Sequence, residues 1–419
     1  MQTIAQIILD ACLARRAWPA DLLDQLVGRA ASADEELARE GSLALFQGIA
    51  EGLADRFDPE LSETYAQIFS RAIAFVNPTV DPAELVSRYR RVRRVRPFAG
   101  HPELVRRVVV LSRVTLGADI AITSVVLDAA KRRFPQAEIV LAGGEKSRQL
   151  FSADARIQWL PVSYGRAGTL RERLAAGAAL AASLAEPGCI VVDPDSRLTQ
   201  LGLLPVCPEE SYYFFDSRSY AGLGLESLTS LVRRWVGEVF DVPDAEPYIA
   251  PAESPDIGAP PWIAVNLGVG ENPSKRLPDP FEEQLLRALL RRDARLVVDL
   301  GAGEQEEKRV LEAIRCCGAP ASRVQTWRGS FAGFASIIRR SSLYVGYDSA
   351  GQHAAAACAT PLVTVFAGFP SERMFARWSP TGPGAKEVIR VGRPDPSAVL
   401  GQTLAAIERL RPPTCTSRR

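Results

Sequence analysis

An all-α N-terminal region followed by two α/β domains with parallel sheets is the fold class this sequence predicts, on three observations. The first is a change of hydrophobic period. Up to about residue 97 apolar residues recur at helical spacing, and from Val108 onward short apolar runs alternate with amphipathic ones. The second is the make-up of those runs. VVVLSRV, EIVLAGG, CIVVDPD, WIAVNLG, RLVVDLG, LYVGYDS and PLVTVFA are apolar nearly throughout, as strands covered by helices on both faces are. The third is DVPDAEPYIAPAESPDIGAPP, a Pro-rich stretch that divides the α/β series in two and reads as an interdomain linker.

Composition limits the function classes. At 419 residues the chain is too long for one typical core. Apolar content of 47% and charged content of 24% suit a globular protein. With 50 basic and 49 acidic residues the net charge is +1, which gives no argument for a nucleic-acid partner. No apolar run reaches bilayer length, and the N-terminus reads as an amphipathic helix, not a signal peptide. The seven cysteines are scattered without ligand spacing, so the expectation is neither a disulfide framework nor a zinc site, and a reducing cytoplasm. Only His101 and His353 are histidines, so no metal centre built on histidine is expected. Acid–base chemistry then falls to carboxylates or to His353.

In chain order, residues 1–97 read as a helical domain, with Ser32 or Asp34 placed to cap one helix and Pro59 and Pro78 as punctuation. Arg88, Arg90, Arg91, Arg93, Arg94 and Arg96 follow closely. They are open to two readings: a basic patch for lipid head groups, an acidic partner or nucleic acid, or a solvated helix end, which the overall charge balance favours. Residues 105–245 form the first Rossmann-like domain, with RIQWLPV and SYYFFDS as further strands. Residues 260–395 form the second, with VQTW and EVIRVGR as lesser strands. Residues 396–411 form a closing helix, before a polar tail, PPTCTSRR, expected to fray. A cleft between the two domains is expected to hold ligand outside the carboxyl ends of the strands.

Four loops carry chemistry. In TLGADIAIT, Asp119 stands at a helix start, either as a plain N-cap or as a base facing the cleft. In LGVGENPSKRLP, Lys275 either neutralises a diphosphate or belongs to a solvated loop. In GAGEQEEKRV, Glu304 or Glu307 either accepts from a ribose diol or simply favours a helix N-terminus. The stretch Leu343–Trp378 runs from strand to a small-residue turn, Asp348-Ser349-Ala350-Gly351, and an Ala-rich helix that includes Gln352 and His353. The free N–H groups of such a helix start point at an anion.

YDSAGQHAAAACATPLVTVFAGFPSERMFARW resembles the C-terminal signature of glycosyltransferase family 9, the ADP-heptose:lipopolysaccharide heptosyltransferases. Asp348, Ser349, His353, Ala356, Thr360, Pro361, Phe366, Gly368 and Trp378 fall in register. RVTLGADIAITSVVLDAAKRRFPQAEI is similar to the family's opening segment, and PSKRLP to its Lys-x-Trp-Pro motif. Three departures stand out: Ala118 is inserted in the Leu-Gly-Asp turn, the glycine of the second turn is shifted with Ala350 before it, and Leu277 replaces the Trp. Residues 1–97 have no counterpart in the core family.

The resemblance implies a GT-B fold, two Rossmann-like domains facing a cleft, and inverting transfer without a metal or cofactor. The donor would be a nucleotide-diphosphate sugar, ADP-linked and heptose-like. Asp119 would be the general base, Lys275 would hold the phosphates, Glu307 or Glu304 the ribose, and the N–H groups around Ser349 to Gln352 the leaving diphosphate, with His353 beside them. The acceptor stays open among a lipopolysaccharide core sugar, another glycan and a protein side chain. Peripheral contact with the inner membrane face and self-association through the helical domain are further expectations. The alternative is a non-catalytic relative whose helical domain recruits a partner. An epimerase of the same fold ranks below both.

Overall fold

The structure, a computed structural model, describes residues 1–184, 188–259, 261–270 and 272–410; the tail expected to fray lies outside them. It contains two compact units. One comprises residues 1–148, 155–245 and 370–378, the other residues 149–154, 246–369 and 379 onward.

The first unit opens with six helices: α1 (Gln2–Leu13), α2 (Ala20–Ala30), α3 (Glu35–Leu43), α4 (Glu51–Ala54), α5 (Pro59–Val76) and α6 (Pro82–Val92), with a π turn over Ala44–Ala50. Asp34, Asp58 and Asp81 accept hydrogen bonds from first-turn N–H groups of α3, α5 and α6, and prolines begin the last two. In α5 the buried Leu61, Tyr65, Ile68, Phe69, Ala72 and Ile73 follow helical spacing. Burial of one such large side chain stabilises the fold by roughly 1.5–3 kcal/mol.

β1 (Arg107–Leu111), β2 (Glu138–Gly143), β3 (Ile157–Pro161), β4 (Cys189–Asp193) and β5 (Tyr212–Phe214) form an all-parallel sheet in the order β3-β2-β1-β4-β5. The helices and this sheet share one hydrophobic core: Leu85, Tyr89 and Val92 of α6 join Val109, Val191, Tyr212 and Phe214. The N-terminal helices are therefore a layer on the first sheet, not a body with a separate core.

The arginine run is part of that layer. Arg88 is buried, donates to the Gly202 carbonyl at 2.7 Å and lies over the Tyr212 ring. Arg93 bonds Asp216 at 2.6 Å, Arg90 pairs with Glu63 and Arg91 with Glu209. Arg96 donates to the carbonyls of Glu209, Glu210 and Tyr212. Each of these five guanidiniums has a partner within the unit, and Arg90 and Arg91 stay about half exposed. Among the described residues no helix is long and apolar enough to cross a membrane.

The second unit holds β6 (Trp262–Asn266), β7 (Arg295–Asp299), β8 (Val324–Trp327), β9 (Leu343–Tyr347), β10 (Leu362–Phe366) and β11 (Lys386–Arg390). They form a parallel sheet in the order β11-β10-β9-β6-β7-β8. The order reverses at β6/β9, and the loops after those strands leave the sheet there, where ligands bind in open α/β sheets.

Candidate functional site

Asp348 and Ser349 follow β9, and the helix Ala350–Ala357 begins at once. Ser349 is extended, and its hydroxyl accepts from the Gly351 N–H at 3.3 Å, which makes it the N-cap. Ser349 and Ala350 stay partly exposed, so the helix start is open to solvent, while Gln352 and His353 are buried beneath it. The shifted glycine has a local cause: a Cβ on Gly351 would come within 2.3 Å of the Tyr344 hydroxyl.

Two further loops reach this turn. Asn272 caps the short 3-10 turn Pro273–Lys275, and the Lys275 ammonium lies 2.5 Å from Asp348 Oδ2 and 3.3 Å from the Asp348 carbonyl oxygen. The other Asp348 oxygen accepts from the Gln352 amide at 2.5 Å. Gly368, after β10, has φ +67°, and a Cβ there would fall 2.4 Å from the Ser274 hydroxyl, so backbone packs directly on the Lys275 loop. Lys275, Asp348, Ser349, Ala350, Gly351, Gln352 and His353 are thus brought together. Leu277, in place of the expected Trp, is core, and its N–H donates to the Tyr347 hydroxyl.

Burial pushes His353 down to about 4, with Lys275 adding to the effect and Asp348 opposing it. The imidazole is neutral at pH 7, and the stability that depends on its neutral form is lost as pH falls from about 6.5 through about 4. The expected outcome in NMR is a His353 ring signal that does not titrate above about pH 5; a midpoint near 6.5 would contradict the buried placement.

Glu304 and Glu307 do not join this group. Glu307 pairs with Arg328, and the two glutamates line a separate hollow with Lys308 and Arg315. Glu306, overlooked in the sequence, is the carboxylate that turns toward the β6 loop. It accepts from Val269 N–H at 2.8 Å and Ala302 N–H at 2.9 Å, tying the loops after β6 and β7 together. It walls an open groove of about 530 Å³ with Gly270, Pro273, Arg276 and Gly303, next to Lys275. Where β6 and β7 end, Asn266 donates to Asp299 at 2.9 Å, and burial pushes Asp299 up to about 6. Neither of these residues stood out in the sequence.

In the first unit, Asp119 opens a π turn, Asp119–Thr123, which takes up one residue more than an α turn would, at the place where Ala118 is inserted. Its side chain is fully buried. Oδ1 accepts from the Arg113 N–H at 2.7 Å and Thr123 Oγ1 at 2.9 Å; Oδ2 accepts from Ser112 Oγ at 2.8 Å and Ser147 Oγ at 2.6 Å. Burial pushes its pKa up against these four bonds. With both oxygens hydrogen-bonded, this carboxylate holds the loops after β1 and β2 together, and the base role expected of it competes with that structural one. Arg377 is buried in the same unit and donates to the Glu226 carbonyl at 2.7 Å.

The model of glycosyltransferase family 9 (heptosyltransferase) matches residues 250–391. No curated protein matches the chain in sequence. Among solved structures, a family 9 glycosyl transferase from Veillonella parvula DSM 2008 is 17% identical, with 73% of this chain and 97% of that chain covered and a TM-score of 0.53. The E. coli heptosyltransferase WaaC with ADP-2-deoxy-2-fluoro heptose is 16% identical over 72% of this chain and 99% of that one, TM-score 0.53. WaaC with ADP gives 16%, 73% and 100%, at the same score. Residues 250–391 are thus similar to glycosyltransferase family 9, and the solved structures show a GT-B-like fold of two Rossmann-like sheets, here preceded by an all-α region.

Proposed function

We propose that the chain transfers a heptose-like sugar from an ADP-linked donor to a hydroxyl of a glycan or protein acceptor, with inversion and with no metal in the step. The observation that carries this reading is the Lys275–Asp348–Gln352 group at the open start of helix Ala350–Ala357. Asp348 takes two hydrogen bonds from the Lys275 ammonium, which fixes the cation and leaves its third N–H for a phosphate oxygen. That N–H, the first-turn N–H groups and the positive end of the helix dipole would gather the charge that grows on the departing diphosphate. The groove beside Glu306 is the space next to that cradle for the nucleoside. The acceptor oxygen would attack the anomeric carbon from the side opposite the diphosphate, the bond to the diphosphate would break, and the acceptor proton would pass to solvent water.

A second reading is favoured by the burial of Asp119: a chain that binds the nucleotide sugar without transferring it, and recruits a partner through its helices. Incubation with ADP-heptose and a coupled assay for ADP separates the two. Transfer predicts ADP release in the presence of an acceptor glycan; binding without release supports the second reading, and no binding contradicts both.

A further inference from the structure

The first unit holds a cavity that the transfer reading does not use. The end of α4, α5 and the loops after β3, β4 and β5 border a half-open hollow with about 30 Å³ of solvent-sized space. Its walls include Arg173, Arg197, Arg218, Glu51, Asp55 and Tyr65. Glu51 lies 3.0 Å from Arg197 and 3.5 Å from Arg166, so one carboxylate serves two cations. Arg218 pairs with Asp195, whose carboxylate also lies 3.9 Å from Arg113. Around the cavity, then, stand the guanidiniums of Arg113, Arg166, Arg173, Arg197 and Arg218 against the carboxylates of Glu51, Asp55 and Asp195. Behind them Asp216 is taken by Arg93, and Asp193 by Thr199, Tyr212 and the Ser196 N–H.

These cations respond to burial and to their carboxylate partners in different ways: against burial, Asp195 holds Arg218 above its ordinary range. Burial, then Arg166, holds Arg197 below its ordinary range. Burial pushes Arg113 down to about 10, with Arg218 and Arg197 adding to it. Arg218 Nε is buried with no hydrogen-bond partner. Desolvated cations with an unused donor around a water-sized space are stabilised by an anion.

We propose that this cavity is a binding site for one compact oxyanion, a carboxylate or a phosphate monoester group, completed by the N-terminal helices at the carboxyl end of the first sheet. The inference stands apart from the transfer reading, because it is tested by binding alone.

The test is calorimetric titration of inorganic phosphate and, separately, of glucuronate into the Lys275→Ala chain, in which the diphosphate cradle is weakened. Saturable binding of at least one anion is expected. Arg197→Gln should weaken it about tenfold, through loss of a charge-assisted hydrogen bond. Glu51→Gln should tighten it by a similar factor, because it frees Arg197 and Arg166; a folding defect does not produce a gain. Tighter phosphate assigns a phosphate-bearing ligand, and tighter glucuronate an acidic sugar. Absence of saturable binding below about 10 mM, or a response that neither variant changes, overturns the proposal.

Discussion

Lys275→Ala is expected to lower ADP-sugar turnover by about 10²–10³-fold, the scale of removing one preorganised donor from a developing oxyanion. The effect has two parts with the same sign. The variant loses the cation nearest the open helix start, and it uncovers the Asp348 carboxylate, which is only 5% exposed and otherwise neutralised at 2.5 Å. An unpaired carboxylate there repels the diphosphate. Lys275→Ala with Asp348→Asn should therefore bind ADP better than Lys275→Ala alone, whereas a purely steric role for the lysine predicts no recovery. Steady-state kinetics and ADP affinity for the two variants check this.

Asp119→Ala is expected to destabilise the first unit by about 3 kcal/mol, because it leaves the Arg113 N–H and three hydroxyls without their common acceptor in a buried place. For a unit of this size that is a fall in Tm of roughly 6–12 °C. Asp119→Asn, which keeps one acceptor oxygen and the side-chain volume, should lose less. The stability change is the discriminating readout. A catalytic base would lose turnover on either substitution with Tm unchanged, and that result would restore Asp119 to the chemistry.

The fold was legible because its signal is local. Seven strands are apolar nearly throughout, and a strand buried on both faces leaves no other pattern. The shorter VQTW and the edge EVIRVGR were also readable, as β8 and β11. The arginine run was harder to read because its partners, Gly202, Glu209, Tyr212 and Asp216, lie more than a hundred residues away in sequence. Charge balance favoured a solvated helix end; the pairing across that distance ties the run down instead.

The candidate site was legible to a similar degree. Lys275 and Asp348 through His353 follow from strand-end loops and the family signature, and the structure joins them. Asp119 lies one turn into its helical run, which begins at Leu116, and whether a carboxylate there faces solvent depends on Ser112 and Ser147 closing over it. Glu306 had a readable signal: it lies four residues before Val310 and seven before Ala313, the buried positions of its helix, so it shares the inner face. Glu304 and Glu307 were preferred on loop position alone, without that phase.

Calorimetric titration of ADP into the wild-type chain and into Lys275→Ala tests the central claim most directly. The account predicts one saturable site in the wild type, with a Kd in the roughly micromolar to millimolar range, weakened about tenfold or more in Lys275→Ala. An ADP affinity that the lysine substitution leaves unchanged, or no binding at all by the wild type, would contradict it.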